Sequence, residues 1–209
     1  MGVLNKQKGK IIVTSGPTHE KIDDVKVVTN KSSGKQGRAL AIELSARGYE
    51  VVYIHSASIN PIPGIDNLSF HSSNDLKNKI VENINNTDAI FMTAAVSDFT
   101  VKKSPGKISR SNGNMSIEFI PNEDIIATIK SSYPEIKCIA FSAQVDDELN
   151  FNKINKKNVD YLIINNILKN KFGSNNNKVS IIDQQHLIFE SEELDKNEIS
   201  RDILNALEY

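Results

Sequence analysis

The chain is predicted to fold as an α/β protein, with a mostly parallel sheet covered by helices on both faces. Short apolar runs rich in Ile and Val recur along its 209 residues. Amphipathic stretches with a helical period separate them. The runs lack the apolar–polar alternation of a strand wetted on one face, so they read as strands buried on both sides.

The elements follow in order. Lys10–Ser15 (KIIVTS) reads as the first buried strand. Lys35–Arg47 reads as a helix with Ala39, Leu40, Ile42, Leu44 and Ala46 inward, stopped by Gly48. EVVYIHS is the second strand. Asn74 is placed to cap a helix whose apolar face is Leu76, Ile80, Val81 and Ile84. AIFMTAAV, ending at Val96, is the third strand. Asn122 is expected to cap a helix from Glu123 to Ser131, with acids in its first turn. CIAFSA is the fourth strand, Asp147–Lys157 a helix and YLIINN the fifth strand. KVSIID and HLIFES read as a hairpin or meander, and Lys196–Leu207 as the last helix. In such a sheet, ligands sit beyond the carboxyl ends of the strands near the switch in strand order. That rule puts the loops after Ser15, Ala94, Ala143 and Asn166 on one rim.

Ser97–Ile120 breaks this rhythm. It has no helical period, carries Lys102, Lys103, Lys107 and Arg110, and has Pro105, Gly106 and Gly113 as turn signals. It reads as a basic flap with short strands, and a loop of that length in a compact domain is usually functional or mobile.

Composition bounds the function. Hydrophobic residues make up 39% and charged residues 24%, as in a globular protein, and the length suits one domain, residues 1–209. A net charge of −1 argues against a general nucleic-acid binder, yet leaves room for a local basic pocket. The one cysteine, Cys138, lies in an apolar run and reads as a core residue. No disulfide framework or zinc-ligand spacing is present, and the four histidines show no ligand spacing. With no long apolar span or signal peptide, a cytoplasmic protein without membrane partners is expected.

The most informative stretch is TNKSSGKQG, Thr29–Gly37, between the first strand and the first helix. Small residues let backbone N–H groups approach a ligand, hydroxyls and lysines add donors, and a helix start adds partial positive charge. The stretch therefore suits an anion such as phosphate. It is not a P-loop, because Gly34-Lys35 is followed by Gln36 and Thr29 stands where a glycine would be. Nor does SGPTHEKID give a dinucleotide GxGxxG. Tyr133 and Lys137 have the spacing of a reductase pair, but Pro134 between them disrupts the helix that pairing needs. Asp98, at a strand end, is suited to hold magnesium, to accept from a base or ribose, or simply to cap a turn. Lys153 and Lys157 lie one helical turn apart and could reach one polyphosphate, although such pairs are more often solvated.

Taken in order, SGPTHEKIDDVKVVTNKSSGKQG, TAAVSDF with GKI after it, PNEDI, FSAQ, KINKKN–DYLIINN and FGSNNNKV make the chain resemble phosphopantothenate–cysteine ligases of coenzyme A biosynthesis. The resemblance spans Ile11 to the final helix. It implies a Rossmann-like three-layer fold and a homodimer. Most bacteria carry a similar ligase as the second half of a bifunctional protein behind a flavin-dependent decarboxylase. The chain is thus expected to be a free-standing ligase, with a separate decarboxylase as a partner. The implied reaction activates the carboxylate of 4′-phosphopantothenate with a nucleoside triphosphate and Mg²⁺. CTP is favoured over ATP. Pyrophosphate leaves, and the amine of L-cysteine attacks the acyl-nucleotidylate.

The implied roles fall on particular residues. Asn30 holds the acyl-nucleotidylate, and Lys107 is the flap lysine that closes over the site; these two are the catalytic candidates. Asp98, Lys107, Asn122, Asp124, Ile125, Phe141, Lys153 and Lys157 bind the nucleotide. Ser32, Ser33, Gly34 and Lys35 bind the substrate phosphate. No magnesium ligand is assigned. Glu123 replaces the usual proline of the NPDI-like turn, and Ser142 and Gln144 depart from the commoner FAAE pattern. Two other readings compete. A nicotinamide-dependent reductase would bind dinucleotide without turning over CTP, and a non-catalytic nucleotide-binding subunit would bind nucleotide without releasing pyrophosphate.

Overall fold

The computed structural model describes residues 8–146, 148–166, 168 and 173–209. The chain enters on β1 (Lys8–Ser15), makes a hairpin of β2 (His19–Lys21) and β3 (Val27–Thr29), and forms α1 (Lys35–Ala46). Next come β4 (Tyr49–Ser56), β5 (Asp66–Phe70), α2 (Ser73–Glu82) and β6 (Thr87–Met92). A second small hairpin, β7 (Phe99–Val101) and β8 (Phe119–Pro121), brackets the flap and is followed by α3 (Ile125–Ser132). Then follow β9 (Lys137–Gln144), α4 (Phe151–Lys157) and β10 (Tyr161–Asn166). The chain ends with β11 (Asn176–Asn177), β12 (Ser180–Ile182), β13 (Leu187–Glu190), β14 (Leu194–Asp195) and α5 (Lys196–Ala206).

Among the described residues, eight strands form one sheet in the order β13-β12-β10-β9-β6-β1-β4-β5. The six from β10 to β5 run parallel, and β12 and β13 add an antiparallel edge. The predicted α/β Rossmann-like class and the predicted terminal hairpin are both present. The strand period decides the layering. Ile12, Ile90, Cys138 and Leu162 face one side, packed with Leu76, Ile80, Ile126, Ile129 and Ile154 from α2, α3 and α4. Ile11, Phe91, Ile139 and Ile163 face the other, packed with Leu40, Leu44, Ile199 and Ile203 from α1 and α5. Alternate residues of each strand thus feed two separate cores. Cys138 is buried in the first of them, as its apolar run predicts, and burial pushes its thiol up to about 12.

Several boundaries differ from the sequence reading. Ser72, not Asn74, caps α2, its hydroxyl accepting from the Asp75 N–H at 3.2 Å. Asp124, not Asn122, caps α3 by accepting from the Ala127 N–H at 3.3 Å, and no acid lies in that helix's first turn. Asn122 is spent elsewhere: its side chain donates to the Ser97 carbonyl at 2.8 Å and its backbone to the Asp98 carbonyl at 2.8 Å. α4 starts at Phe151, capped by Asn150, and the expected start at Asp147 lies outside the described residues. β6 stops at Met92, so the TAAV that follows is loop. Ile42, Ala46 and Val81, expected inward, are exposed, because the buried face of α1 runs through Gly37, Leu40, Ala41 and Leu44 and that of α2 through Ser73, Leu76 and Ile80. The edge strand β5, DNLSF, has no apolar run to announce it; its parallel pairing with β4 makes it a strand.

Candidate functional site

The sheet order reverses between β1 and β6. From β1 the chain passes to β4 and β5 on one side, while β6, β9 and β10 continue on the other. Loops leaving β1 and β6 therefore diverge and open a crevice at their carboxyl ends. The two loops are laced together there. Ala95 N–H donates to the Gly16 carbonyl at 2.9 Å, and Pro17 bridges Ala95. Asn30, just past β3, crosses over this seam. Its Nδ2 donates to the Ala95 carbonyl at 3.2 Å and the Val96 carbonyl at 3.1 Å.

A cleft of about 590 Å³ opens on the β6 side of the seam. Asn30, Asp98, Asn122, Asp124, Ile125, Phe141, Lys153 and Lys157 all line it. Seven of the eight residues expected to bind nucleotide are thus brought together with Asn30. They arrive from the β6–β7 turn, the start of α3, β9 and α4. The two α4 lysines share one helix face, as their spacing predicts. Lys153 Nζ donates to Ser142 Oγ at 2.7 Å, and Lys157 Nζ pairs with Asp124 Oδ2 at 2.5 Å. Burial, and then the charge of Lys157, hold the Lys153 ammonium below the ordinary lysine value. The cap carboxylate of α3 thus also anchors α4. At the cleft rim Glu123 pairs with Lys77 at 2.5 Å, which lowers the Glu123 carboxyl below the usual range.

A smaller pocket of about 160 Å³ adjoins the cleft and shares Ala94, Ala95, Phe141 and Ala143 with it. Ser32, Ser33 and Gly34 line it beside the first turn of α1. Gly34 caps that helix in the left-handed region at φ 67°, with no side chain accepting from the helix N–H groups and no acid in the first turn. A 12-residue helix with an uncapped start among hydroxyls is a ready anion site. Lys35 does not line this pocket. It faces a third groove with Arg38 and Lys196, and its ammonium donates to the Gly173 carbonyl at 3.0 Å and Asn175 Oδ1 at 2.7 Å. Lys107 is exposed and lines none of these three cavities.

The pocket also contains residues given no role from sequence. Asn165, Asn176, Asn177 and Lys196 line it together with the serines. FGSNNNKV carries the signal for Asn176 and Asn177, and YLIINN for Asn165, but Lys196 has none, since it opens the last helix far along the chain. Burial, then the Lys35 charge, hold the Lys196 ammonium below the usual lysine value. Gly37 and Thr93 complete the wall. A Cβ on Gly37 would stand 2.1 Å from Thr93 Oγ1 and 2.9 Å from Ser15 Oγ, so only glycine lets α1 seat on the strand ends.

Among the described residues no group of three or more His, Cys, Asp or Glu gathers to hold a metal ion. Three carboxylates line the cleft, Asp98, Glu123 and Asp124, and the last two are already paired with Lys77 and Lys157. That set fits an ion carried mainly by phosphate oxygens with one carboxylate from the protein, the usual arrangement for Mg²⁺. Among the described residues no helix is long and apolar enough to cross a membrane.

Comparison with known proteins agrees with this architecture. The family model described as the DNA/pantothenate metabolism flavoprotein C-terminal domain matches residues 6–209. A protein named cysteine/cysteine sulfinic acid decarboxylase, from an unknown prokaryotic organism, is 33% identical over 95% of the chain and 57% of its own length. The coenzyme A biosynthesis bifunctional protein CoaBC of Methanocaldococcus jannaschii is 31% identical over 98% of the chain and 51% of its own length. The chain therefore spans about half the length of these curated relatives. The crystal structure of the C-terminal domain of a CoaBC protein superposes with a TM-score of 0.78 at 28% identity, over 97% of this chain and 96% of that one. The switch-point cleft, the uncapped helix beside it and a family match over nearly every residue together place the chain in the DNA/pantothenate metabolism flavoprotein C-terminal domain family.

Proposed function

We propose that the protein is a phosphopantothenate–cysteine ligase of coenzyme A biosynthesis, acting through an acyl-nucleotidylate and using CTP in preference to ATP. The observation that carries this reading is the pair of joined cavities. The cleft, with Lys153 and Lys157 in its lining, suits a nucleotide and its phosphates, and the pocket at the uncapped start of α1 suits a separate anion. A substrate with a carboxylate at one end and a phosphate at the other spans such a pair. The CoaBC relative named for coenzyme A biosynthesis supports the pathway.

The chemistry gives each residue a task. A carboxylate oxygen attacks the α-phosphorus, an O–P bond forms, and the bond to the departing pyrophosphate breaks. The cysteine amine then attacks the acyl carbon, the acyl–oxygen bond breaks, and nucleoside monophosphate leaves. Two anions meet in the first step, so fixed cations contribute most to lowering its barrier. Lys153 and Lys157 hold the triphosphate, and Lys107 joins them by turning its exposed side chain in from a flap backbone tied to the β2–β3 hairpin. Asp98 would hold Mg²⁺ together with the substrate phosphates, and the ion would supply further charge neutralisation there. Asn122, Asp124, Ile125 and Phe141 surround the base. Ser32, Ser33 and the α1 N-terminus hold the substrate phosphate, with Lys196 in the same wall and Lys35 outside it against Gly173 and Asn175. Asn30 has both amide hydrogens committed to Ala95 and Val96, so it meets the acyl-nucleotidylate through Oδ1, as an acceptor for substrate hydroxyl or amide hydrogens.

A homodimer is part of the proposal. The two small hairpins leave Val25, Val27, Phe99, Phe119 and Ile120 exposed, an apolar surface suited to a second copy. A cytoplasmic location and a decarboxylase acting on the product complete it. The test follows pyrophosphate from the protein mixed with phosphopantothenate, cysteine, Mg²⁺ and either CTP or ATP. Release that depends on phosphopantothenate is expected, faster with CTP. No release with either nucleotide would sink the ligase reading, and dinucleotide binding in its place would favour a reductase.

A further inference from the structure

Asp23 is a buried carboxylate that the reaction as described does not use. It sits in the turn between β2 and β3 and is 1% exposed. Four donors saturate it. Oδ1 accepts from the Val25 N–H at 2.7 Å and the Lys26 N–H at 2.6 Å. Oδ2 accepts from Lys26 Nζ at 2.7 Å and from the Ile108 N–H at 3.0 Å. The first pair shapes the turn. In the second pair, the Ile108 N–H lies 85 residues along the chain in the flap, immediately after Lys107. Lys26 Nζ closes the clasp by donating to the Ile108 carbonyl at 3.0 Å. On the other side of Lys107, the Gly106 carbonyl accepts from the Asp24 N–H at 3.1 Å. Lys107 is therefore held between two fixed peptides, although its own side chain is exposed.

The same hairpin grips the rest of the strap. Ser104 N–H donates to the Ile22 carbonyl at 2.9 Å, and Thr100 Oγ1 donates to Glu20 Oε2 at 3.1 Å. Lys103 pairs with Asp24 at 2.5 Å. The flap from Thr100 to Ile108 thus runs along β2 and its turn as one body. At its other end the hairpin runs out through Thr29, which pairs with His19, into Asn30. Flap and Asn30 hang on one lever.

We propose that Asp23 is the positioning residue for Lys107, clamping the flap backbone to the hairpin that carries Asn30 so that both groups meet the nucleotide in fixed relation. The proposal rests on the assignment of Lys107 to nucleotide activation. Asp23→Asn is the informative change, because one amide oxygen can satisfy the turn or the tether but not both. Losing a charge-assisted bond of this kind should slow pyrophosphate release by about tenfold or more. Hydrogen exchange at the Ile108 amide should quicken by a similar factor, about tenfold, while amides in β1 and β6 keep their rates. A purely structural residue would give losses that multiply with others. Here the Asp23→Asn, Lys107→Ala double variant should be no slower than Lys107→Ala alone. If Asp23→Asn fails to fold, Lys26→Met removes the other half of the clasp from a side chain that is partly in water, and the same readouts apply. Unchanged Ile108 exchange, or fully multiplicative losses in the double variant, would overturn the proposal. A Lys107→Ala protein that releases pyrophosphate normally would remove the lysine's role and the positioning with it. No pyrophosphate from the unaltered chain would instead sink the ligase reading, leaving the exchange measurement to decide the clasp.

Discussion

The floor of the cleft and the hairpin–flap strap are held in place by different forces. The floor is made of strand ends and helix starts whose neighbours are core: Ala140 is 1% exposed and Ile125 and Ile126 are 3%. Apolar burial fixes it, at ~1.5–3 kcal/mol for each large side chain removed from water. The strap has little core of its own. Phe99 and Phe119 stack edge-on with centroids 6.2 Å apart, yet both remain nearly half exposed. Polar ties to Glu20, Ile22, Asp23 and Asp24 hold it instead. Floor positions should therefore respond to substitution by losing stability, and strap positions by losing rate in a protein that stays folded.

The largest expected effect is at Lys107. Lys107→Ala should lower the rate of pyrophosphate release by roughly 10²–10³-fold, the scale for losing one group that stabilises developing charge. Its melting temperature should not move, since the side chain is exposed. A wild-type rate would break the comparison by showing a solvated lysine. Gly37→Ala tests the floor. The added Cβ collides with Thr93 Oγ1, which already donates to the Thr14 carbonyl, so the clash cannot be relieved without losing that bond. A cost of about 1–3 kcal/mol is expected, visible in a chain of this length as a melting temperature lower by roughly 2–12 °C. An unshifted melt would mean that α1 can slide on the strand ends.

Lys153 combines the two behaviours, being a charge held partly inside the floor. Lys153→Met should raise the nucleotide KM about tenfold or more, the usual worth of a charge-assisted bond. Its pH dependence has a definite sign. The folded-state value lies below that of the unfolded chain, because burial and then Lys157 disfavour the ammonium. As pH rises between those two values the unfolded chain binds more protons, so this group's contribution to stability increases with pH. Triphosphate binding needs the ammonium and weakens over the same alkaline window. Lys153→Arg should move the loss of affinity to higher pH, and an unmoved profile would show that another group titrates. The smallest effect concerns Asp124→Asn. Asparagine still caps α3, and the exposed pair with Lys157 contributes at most about 0.5–1 kcal/mol, so stability should barely change. Releasing Lys157 should leave the nucleotide KM unchanged or lower it slightly. A higher KM would show that the contact of Asp124 with the base outweighs its hold on Lys157.

Much of this site can be read along the chain because the parallel α/β architecture makes it so. Once KIIVTS, AIFMTAAV and CIAFSA are read as parallel strands, their carboxyl ends must share a rim, and Asp98, Phe141 and the TNKSSG loop fall on it. The spacing of Lys153 and Lys157 fixes their common face by helical geometry alone. Asn122 shows where that reading stops. Its residue type suits a helix cap, but the competing carbonyl of Ser97 takes its side chain, and Asp124 two residues on takes the cap. Lys35 resembles part of a phosphate loop, yet the long stem carries its charge around the helix to Gly173 and Asn175.

The sequence by itself determines the strand period, the helix faces and the residue types at the strand ends, because these follow from backbone geometry and local patterning. Tertiary structure alone decides which side chains spend their hydrogen bonds on the protein and which keep them for a ligand. Asn30 turns its amide onto Ala95 and Val96, and Asp23 reaches across the fold to Ile108. A donor's partner is set by what the fold brings within about 3 Å, and for these residues that neighbour lies 65 to 85 positions away.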